Sequence, residues 1–237
     1  MAISLKAAFA DLLTKHELVR MAAFGSSNTQ RRIMGMHWFD LVELGLKHTY
    51  GGNRIQCCNM GVGGDTSARM LARFDRDVLP FQPHFTVITC GGNDSSPECG
   101  IDAAAFAANL KELRRKLAGS GSLTVFQTYY ACDLEQLPPK HAEQLVQYMR
   151  IVRETAAECG VPVLDHFARW ERFRRSDPAL YRMLMLDRMH VNEVGNMVLG
   201  LDFLRALGIG LPEAMRPRAL PGCLGQKVLD LLEASQA

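Results

Sequence analysis

The sequence predicts an α/β protein in which five parallel strands form one sheet, sandwiched between two layers of helices. Three observations lead there. Five short apolar runs alternate with stretches of helical periodicity along the chain. Those runs are apolar nearly throughout, the pattern of strands buried on both faces, and parallel sheets covered by helices bury their strands that way. The first three runs also end abruptly in turns rich in Gly and Asn. No linker or low-complexity tract divides the chain, so we expect one domain over residues 1–237.

Taken in order, Ser4–Thr14 reads as a leading helix and Leu18–Phe24 as a buried strand that stops at Gly25, with a helix expected beyond the turn. His37–His48 has helical spacing and stops at Gly51-Gly52. Arg54–Gly61 is the second strand, and Ser67–Leu79 a helix closed by Pro80 and Pro83. His84–Cys90 is the third strand. Ala103–Leu117 is a helix whose Glu112 and Lys116 stand at i,i+4. Leu123–Tyr130 follows as the fourth strand, Pro139–Cys159 as a long helix ended by Gly160, and Val161–Phe167 as the fifth strand. Helices are predicted over Trp170–Leu186, Val194–Leu207 and Leu224–Ala234, with Leu211–Gly222 as a proline-bearing surface connection.

Composition narrows the function classes. A chain of 237 residues, 48% hydrophobic and 22% charged, buries a substantial core and is not disordered. A formal charge of +2 gives no field suited to nucleic acid. No run approaches the ~20 apolar residues of a membrane span. The first twenty residues lack the pattern of a secretory signal, so a cytoplasmic location is expected. The seven cysteines are odd in number and contain no CxxC pair. That spacing predicts reduced thiols and no structural zinc.

The candidate chemistry lies in the turns. They are Gly25-Ser26-Ser27-Asn28-Thr29, then Asn59-Met60-Gly61-Val62-Gly63-Gly64-Asp65-Thr66, then Gly91-Gly92-Asn93-Asp94. In a parallel sheet the carboxyl ends share one edge, so the three turns converge there. A serine at a strand-to-helix turn is more often an N-cap than a nucleophile, so on the first turn alone the cap is the expectation, and the rest of the chain has to decide. Near the C-terminus, Asp187 precedes His190 by three residues, within reach of the imidazole Nδ1. A dinucleotide reading of Gly61–Gly64 fails, because Thr66 breaks the GxGxxG pattern and the loop follows the second strand.

These four blocks, in this order, resemble the SGNH, or GDSL-type, hydrolase family, and the resemblance covers most of the chain. It implies a flavodoxin-like SGNH hydrolase fold and a metal-independent serine ester hydrolase without cofactor, acting on a small-molecule ester. Carried across position by position, it makes Ser27 the nucleophile, His190 the general base and Asp187 the residue that orients the imidazole. It assigns the oxyanion hole to the Ser27 and Gly64 backbone N–H groups and the Asn93 side-chain amide. One place departs: Ser26 stands where the family has aspartate, which makes Ser26 a rival nucleophile. An inactive binding module on the same fold, or an acyltransferase, is the alternative. Two further stretches flank the expected site. Tyr129-Tyr130 either wall a substrate pocket or simply pack, and the five arginines of Arg169–Arg182 either face the site or form a solvated basic face.

Overall fold

The computed structural model describes residues 4–130, 132–210 and 220–234. Five strands, β1 (Val19–Gly25), β2 (Ile55–Gly61), β3 (Phe85–Thr89), β4 (Leu123–Gln127) and β5 (Val163–Leu164), form one sheet. Their order is β2-β1-β3-β4-β5, and every neighbouring pair is parallel. The predicted fold class is therefore the observed one. Strand order reverses between β1 and β3, and at such a switch point the crossovers diverge to opposite faces, leaving a crevice at the carboxyl edge. Register makes that edge level, since Gly25 lies opposite both Gly61 of β2 and Thr89 of β3.

Period-two alternation splits the core in two. From β1, Met21 and Ala23 face one cluster, while Ala22 and Phe24 face the other. The first cluster packs beneath α1 (Leu5–Lys15), α2 (Trp38–Tyr50), α8 (Glu193–Ala206) and α9 (Leu220–Ala234), through Phe9, Val42, Phe203 and Leu229. The second lies under α3 (Ser67–Asp77), α4 (Ala103–Gly119) and α5 (Pro139–Cys159), through Phe74, Leu113 and Val152. Each large apolar side chain buried this way contributes about 1.5–3 kcal/mol before entropy is counted. Caps set the helix starts: Thr66 accepts from Arg69 N, Asp102 from Ala105 N, and Asn192 from Val194 and Gly195 N.

Several boundaries differ from expectation, each for a local reason. No helix follows the first turn directly, and α2 begins only at Trp38. β5 is two residues long because Asp165 caps α6 (His166–Ser176) by accepting from Ala168 N, which draws His166 and Phe167 into the helix. The predicted helix Trp170–Leu186 is interrupted at Asp177-Pro178. Proline has no N–H to continue α6, and Asp177 caps the separate α7 (Pro178–Arg182). Glu112 pairs with Arg115 rather than Lys116, which reaches Asp75 of α3 instead. Residues 211–219 of the predicted connection lie outside the described residues, and α9 starts at Leu220, four residues earlier than expected.

Two partly or fully buried histidines are held neutral. His37 caps α2 by accepting from Phe39 N at 3.3 Å, and burial lowers its pKa to about 4. Arg20 N donates to His84 Nδ1 at 3.2 Å, and Arg20 Nη2 lies 3.0 Å from Nε2, so protonating Nδ1 would break the first bond and set a second cation beside the guanidinium. Burial, then the neighbouring His16 and Arg20, lower His84 to about 4 as well. An unfolded histidine binds its proton near 6.5, so between about 6.5 and about 4 the unfolded state holds more protons than the folded one. Stability is accordingly expected to fall on acidification through that window. Melting temperature against pH measures it, and His84→Gln should flatten the slope; an unchanged slope would count against the neutral assignment.

Candidate active site

The site begins with the way β1 ends. A Cβ at Gly25 would lie 2.3 Å from Thr29 Oγ1 and 2.6 Å from the Thr89 carbonyl oxygen, so only glycine lets the chain turn here. The turn is closed by the N–H groups of Thr29 and Gln30, which both donate to the Ser26 carbonyl at 3.0 and 2.9 Å. Two side chains fasten it from outside. Trp38 Nε1 donates to the Asn28 carbonyl at 2.9 Å, and Asn59 Nδ2 to the Thr29 carbonyl at 2.6 Å. Neither serine caps a helix, since α2 is capped by His37. Ser26 is buried with its hydroxyl 2.6 Å from the Tyr129 hydroxyl, whereas Ser27 is only partly covered.

His190 links that turn to the other end of the chain. Its Nε2 lies 3.0 Å from Ser27 Oγ, and its Nδ1 lies 2.8 Å from Asp187 Oδ2. Asp187 Oδ1 also accepts from the backbone N–H groups of Met189 and His190, at 2.7 and 2.9 Å, so one carboxylate shapes the loop and orients the ring. Desolvation pushes the Asp187 pKa up, but these donors and the imidazole outweigh it and hold the carboxyl below its ordinary value. The carboxylate is ionised at neutral pH. A chain from carboxylate through imidazole to hydroxyl is able to take a proton from the hydroxyl and return it to a leaving group.

The remaining turns meet the same edge. Val62 N donates to the Gly25 carbonyl at 3.0 Å, and Asn93 Nδ2 to the Asp65 carbonyl at 2.7 Å. Asn93 carries a second amide N–H besides the one used there. At Gly64 the backbone has φ +80°, and a built Cβ meets nothing within 4 Å. The glycine is therefore explained by its backbone conformation and not by contact with neighbouring protein groups. A cavity of about 20 Å3 lies beside Ser27 and His190, bordered by Gln30, Ile33, His37, Leu186 and Asn196.

Sequence reasoning missed what supports this edge. Arg73 is buried: Nε pairs with Asp65 Oδ2 at 2.5 Å, while Nη2 donates to the carbonyls of Gly25 and Met60 at 3.1 and 2.9 Å. One guanidinium thus ties the ends of β1 and β2 to the loop that carries Gly64. Its signal was an arginine within the apolar stripe of α3, beside Met70 and Phe74. Asp94, which reads as a turn former, is also buried. It accepts from Ser67 N at 2.8 Å, Ser67 Oγ at 2.5 Å and Gly91 N at 3.2 Å. Burial raises its pKa against those hydrogen bonds. Neither tyrosine of the Tyr129-Tyr130 pair borders the cavity, and neither do the five arginines of the 169–182 stretch. Arg169 is held by Asp202, and Arg174 and Arg175 by Glu171. His166 is a structural residue, buried against the same Asp202 at 2.9 Å. Among the described residues no group of three or more His, Cys, Asp or Glu side chains is placed to hold a metal ion.

A hydroxyl, an imidazole and a carboxylate in line at the carboxyl edge of a parallel sheet is an arrangement shared by hydrolases of the serine type. Within that class, the chain belongs to the GDSL-like lipase/acylhydrolase family, whose model matches residues 23–198. It is similar to an acetylxylan esterase from Geobacillus stearothermophilus, 27% identical over 173 residues that span 69% of this chain and 77% of the relative. The crystal structure of an acetylxylan esterase from that organism superposes with a TM-score of 0.70, at 23% identity, over 82% of this chain and 98% of the other. A second acetyl xylan esterase structure gives 0.71 at 20% identity, over 79% of this chain and 99% of the other. The protein is an ester-bond hydrolase. No helix among the described residues is long and apolar enough to cross a membrane.

The buried Arg73 pair yields a stability prediction. Arg73→Ala strands the Asp65 carboxylate and two strand-end carbonyls, and is expected to lower the unfolding free energy by about 3–5 kcal/mol in urea titration. Arg73→Lys should recover only part of this, because an ammonium lacks the planar fork that reaches all three acceptors.

Proposed function

We propose that this hydrolase works through an acyl-enzyme on Ser27 and removes short acyl groups, acetyl above all, from esters of small polar alcohols. The observation that carries the reading is the pair of contacts made by His190, 3.0 Å to Ser27 Oγ and 2.8 Å to Asp187. Ser27 Oγ attacks the ester carbonyl carbon while His190 Nε2 takes its proton. Asp187 stabilises the imidazolium, which then protonates the departing alcohol oxygen. Water, deprotonated by the same nitrogen, attacks the acyl-enzyme and frees the acid and Ser27.

The tetrahedral intermediates place a full negative charge on the former carbonyl oxygen. The donors we assign to it are the Ser27 N–H, the Gly64 N–H and the second amide N–H of Asn93. Removing one such donor typically costs about 3–4 kcal/mol of transition-state stabilisation. Ser26 is the weaker nucleophile candidate, being buried and engaged by Tyr129. The acetyl preference is in keeping with the smallness of the cavity beside Ser27 and His190, about 20 Å3. The similarity to acetylxylan esterases supports it too. A cytoplasmic setting belongs to the same reading and is supported by the unpaired thiols of the six described cysteines.

Treatment with a fluorophosphonate is expected to modify Ser27, located by mass spectrometry of the peptides. Ser27→Ala should lower p-nitrophenyl acetate turnover by about 10^4-fold or more, and His190→Ala by a similar factor. Across p-nitrophenyl esters, kcat/KM is expected to be highest for acetate and to fall with each added pair of carbons. An adduct on Ser26 would overturn the nucleophile assignment, and a preference for octanoate would overturn the acyl one.

A further inference from the structure

Tyr129 and Tyr130 leave the end of β4 side by side in sequence, and the alternation of extended chain sends them to opposite faces of the sheet. Tyr129 joins the cluster of Phe24, Cys90 and Met149, and Tyr130 joins that of Trp38, Trp170 and Val191. Both hydroxyls nevertheless return to one turn. Tyr129 Oη lies 2.6 Å from Ser26 Oγ, and Tyr130 Oη lies 2.6 Å from Asn28 Oδ1. Those are the residues immediately before and after Ser27.

Tyr130 reaches further. Its hydroxyl also lies 2.9 Å from the Met189 carbonyl oxygen and 3.1 Å from Val191 N, the two neighbours of His190. One phenol oxygen therefore touches the residue after Ser27 and both residues flanking His190. A phenol has one proton and two lone pairs. Val191 N–H fills one lone pair, and the Met189 carbonyl is able only to accept. The set is complete when the Asn28 amide presents its nitrogen to the phenol, which also gives that buried nitrogen the partner it otherwise lacks. Burial raises the pKa of both tyrosines, so both hydroxyls keep their protons at any working pH.

We propose that Tyr129 and Tyr130 are positioning residues that bracket Ser27, Tyr129 holding the turn through Ser26 and Tyr130 setting the Ser27–His190 separation through Asn28, Met189 and Val191. This rests on Ser27 being the nucleophile. The physical need is plain: the 3.0 Å contact joins residues 163 apart in sequence, on two loops that belong to no strand. A misplacement of ~1 Å between reacting groups costs up to about 100-fold in rate. Rings anchored in opposite core layers resist displacement of the turn in either direction, because close-packed cores yield little.

The test compares Tyr129→Phe, Tyr130→Phe, Ser26→Ala and the Tyr129→Phe/Ser26→Ala double variant with the unaltered enzyme. Tyr148→Phe is the control, a phenol on α5 that donates to the Ile101 carbonyl outside the site. Readouts are kcat and KM for p-nitrophenyl acetate, the second-order rate of fluorophosphonate labelling, and melting temperature. Tyr130→Phe should lower kcat and labelling together by roughly 10- to 100-fold, with KM within about twofold. Tyr129→Phe and Ser26→Ala should each lower kcat, and their double variant should be no slower than the slower single, the mark of one shared contact. Tyr148→Phe should change melting temperature alone. If Tyr130→Phe does not fold, Asn28→Ala removes the same contact from the turn side and is read identically. The bracket is overturned if Tyr130→Phe, or Asn28→Ala in its place, keeps kcat and labelling within about twofold, or if the Tyr129 and Ser26 effects add. Turnover surviving in Ser27→Ala would instead remove the nucleophile reading beneath it.

Discussion

The close approach at Gly25 is the constraint on which the site depends. β1 is an interior strand of the sheet, flanked by β2 and β3, so any bulk at its carboxyl end strikes a neighbouring strand. Without a Cβ, the chain turns directly over Thr89 and brings Ser27 out at the switch point. The level endings of β1 and β2 then place the following loop against the turn, where Val62 N reaches the Gly25 carbonyl. A bulkier residue at 25 would not shift one side chain. It would separate the loops that make the crevice.

An edge assembled from loops leaves backbone groups without ladder partners, and this protein satisfies them with buried polar side chains. Arg73 takes the carbonyls of Gly25 and Met60, Asn59 the carbonyl of Thr29, and Asp94 the N–H groups of Ser67 and Gly91. Such a network is costly if any member is lost, since an orphaned buried polar group forfeits about 1–3 kcal/mol. In return it holds the turns more rigidly than apolar packing alone, because hydrogen bonds are directional. Asp187 performs a similar double task at the other loop, bending the backbone and orienting the imidazole with the same carboxylate.

Much of the fold was legible because it follows from local pattern. Apolar runs, helix caps and stop glycines marked all five strands and most helices, and the strand-end turns marked the edge where chemistry belongs. The failures were also local contests that sequence pattern ranks poorly. Asp165 as a helix cap took two residues from β5, and Pro178 divided a helix whose apolar periodicity continued across it. At the site, Ser27, Gly64, Asn93, Asp187 and His190 were legible as motif residues. Arg73, Asp94, Tyr129 and Tyr130 were not recognised as supports, because their partners lie on other elements.

The sequence by itself determined the strand–helix alternation, the glycines that allow the turns, and the short-range pairing of Asp187 with His190. These depend on neighbours within a few residues, where spacing and backbone preference decide the outcome. Only the tertiary structure decided which of two adjacent serines faces His190, and which is locked away against Tyr129. The two contacts that separate them span more than a hundred residues, Ser26 to Tyr129 and Ser27 to His190. No local rule distinguishes Ser26 from Ser27 at a turn; packing buries one and leaves the other at the crevice.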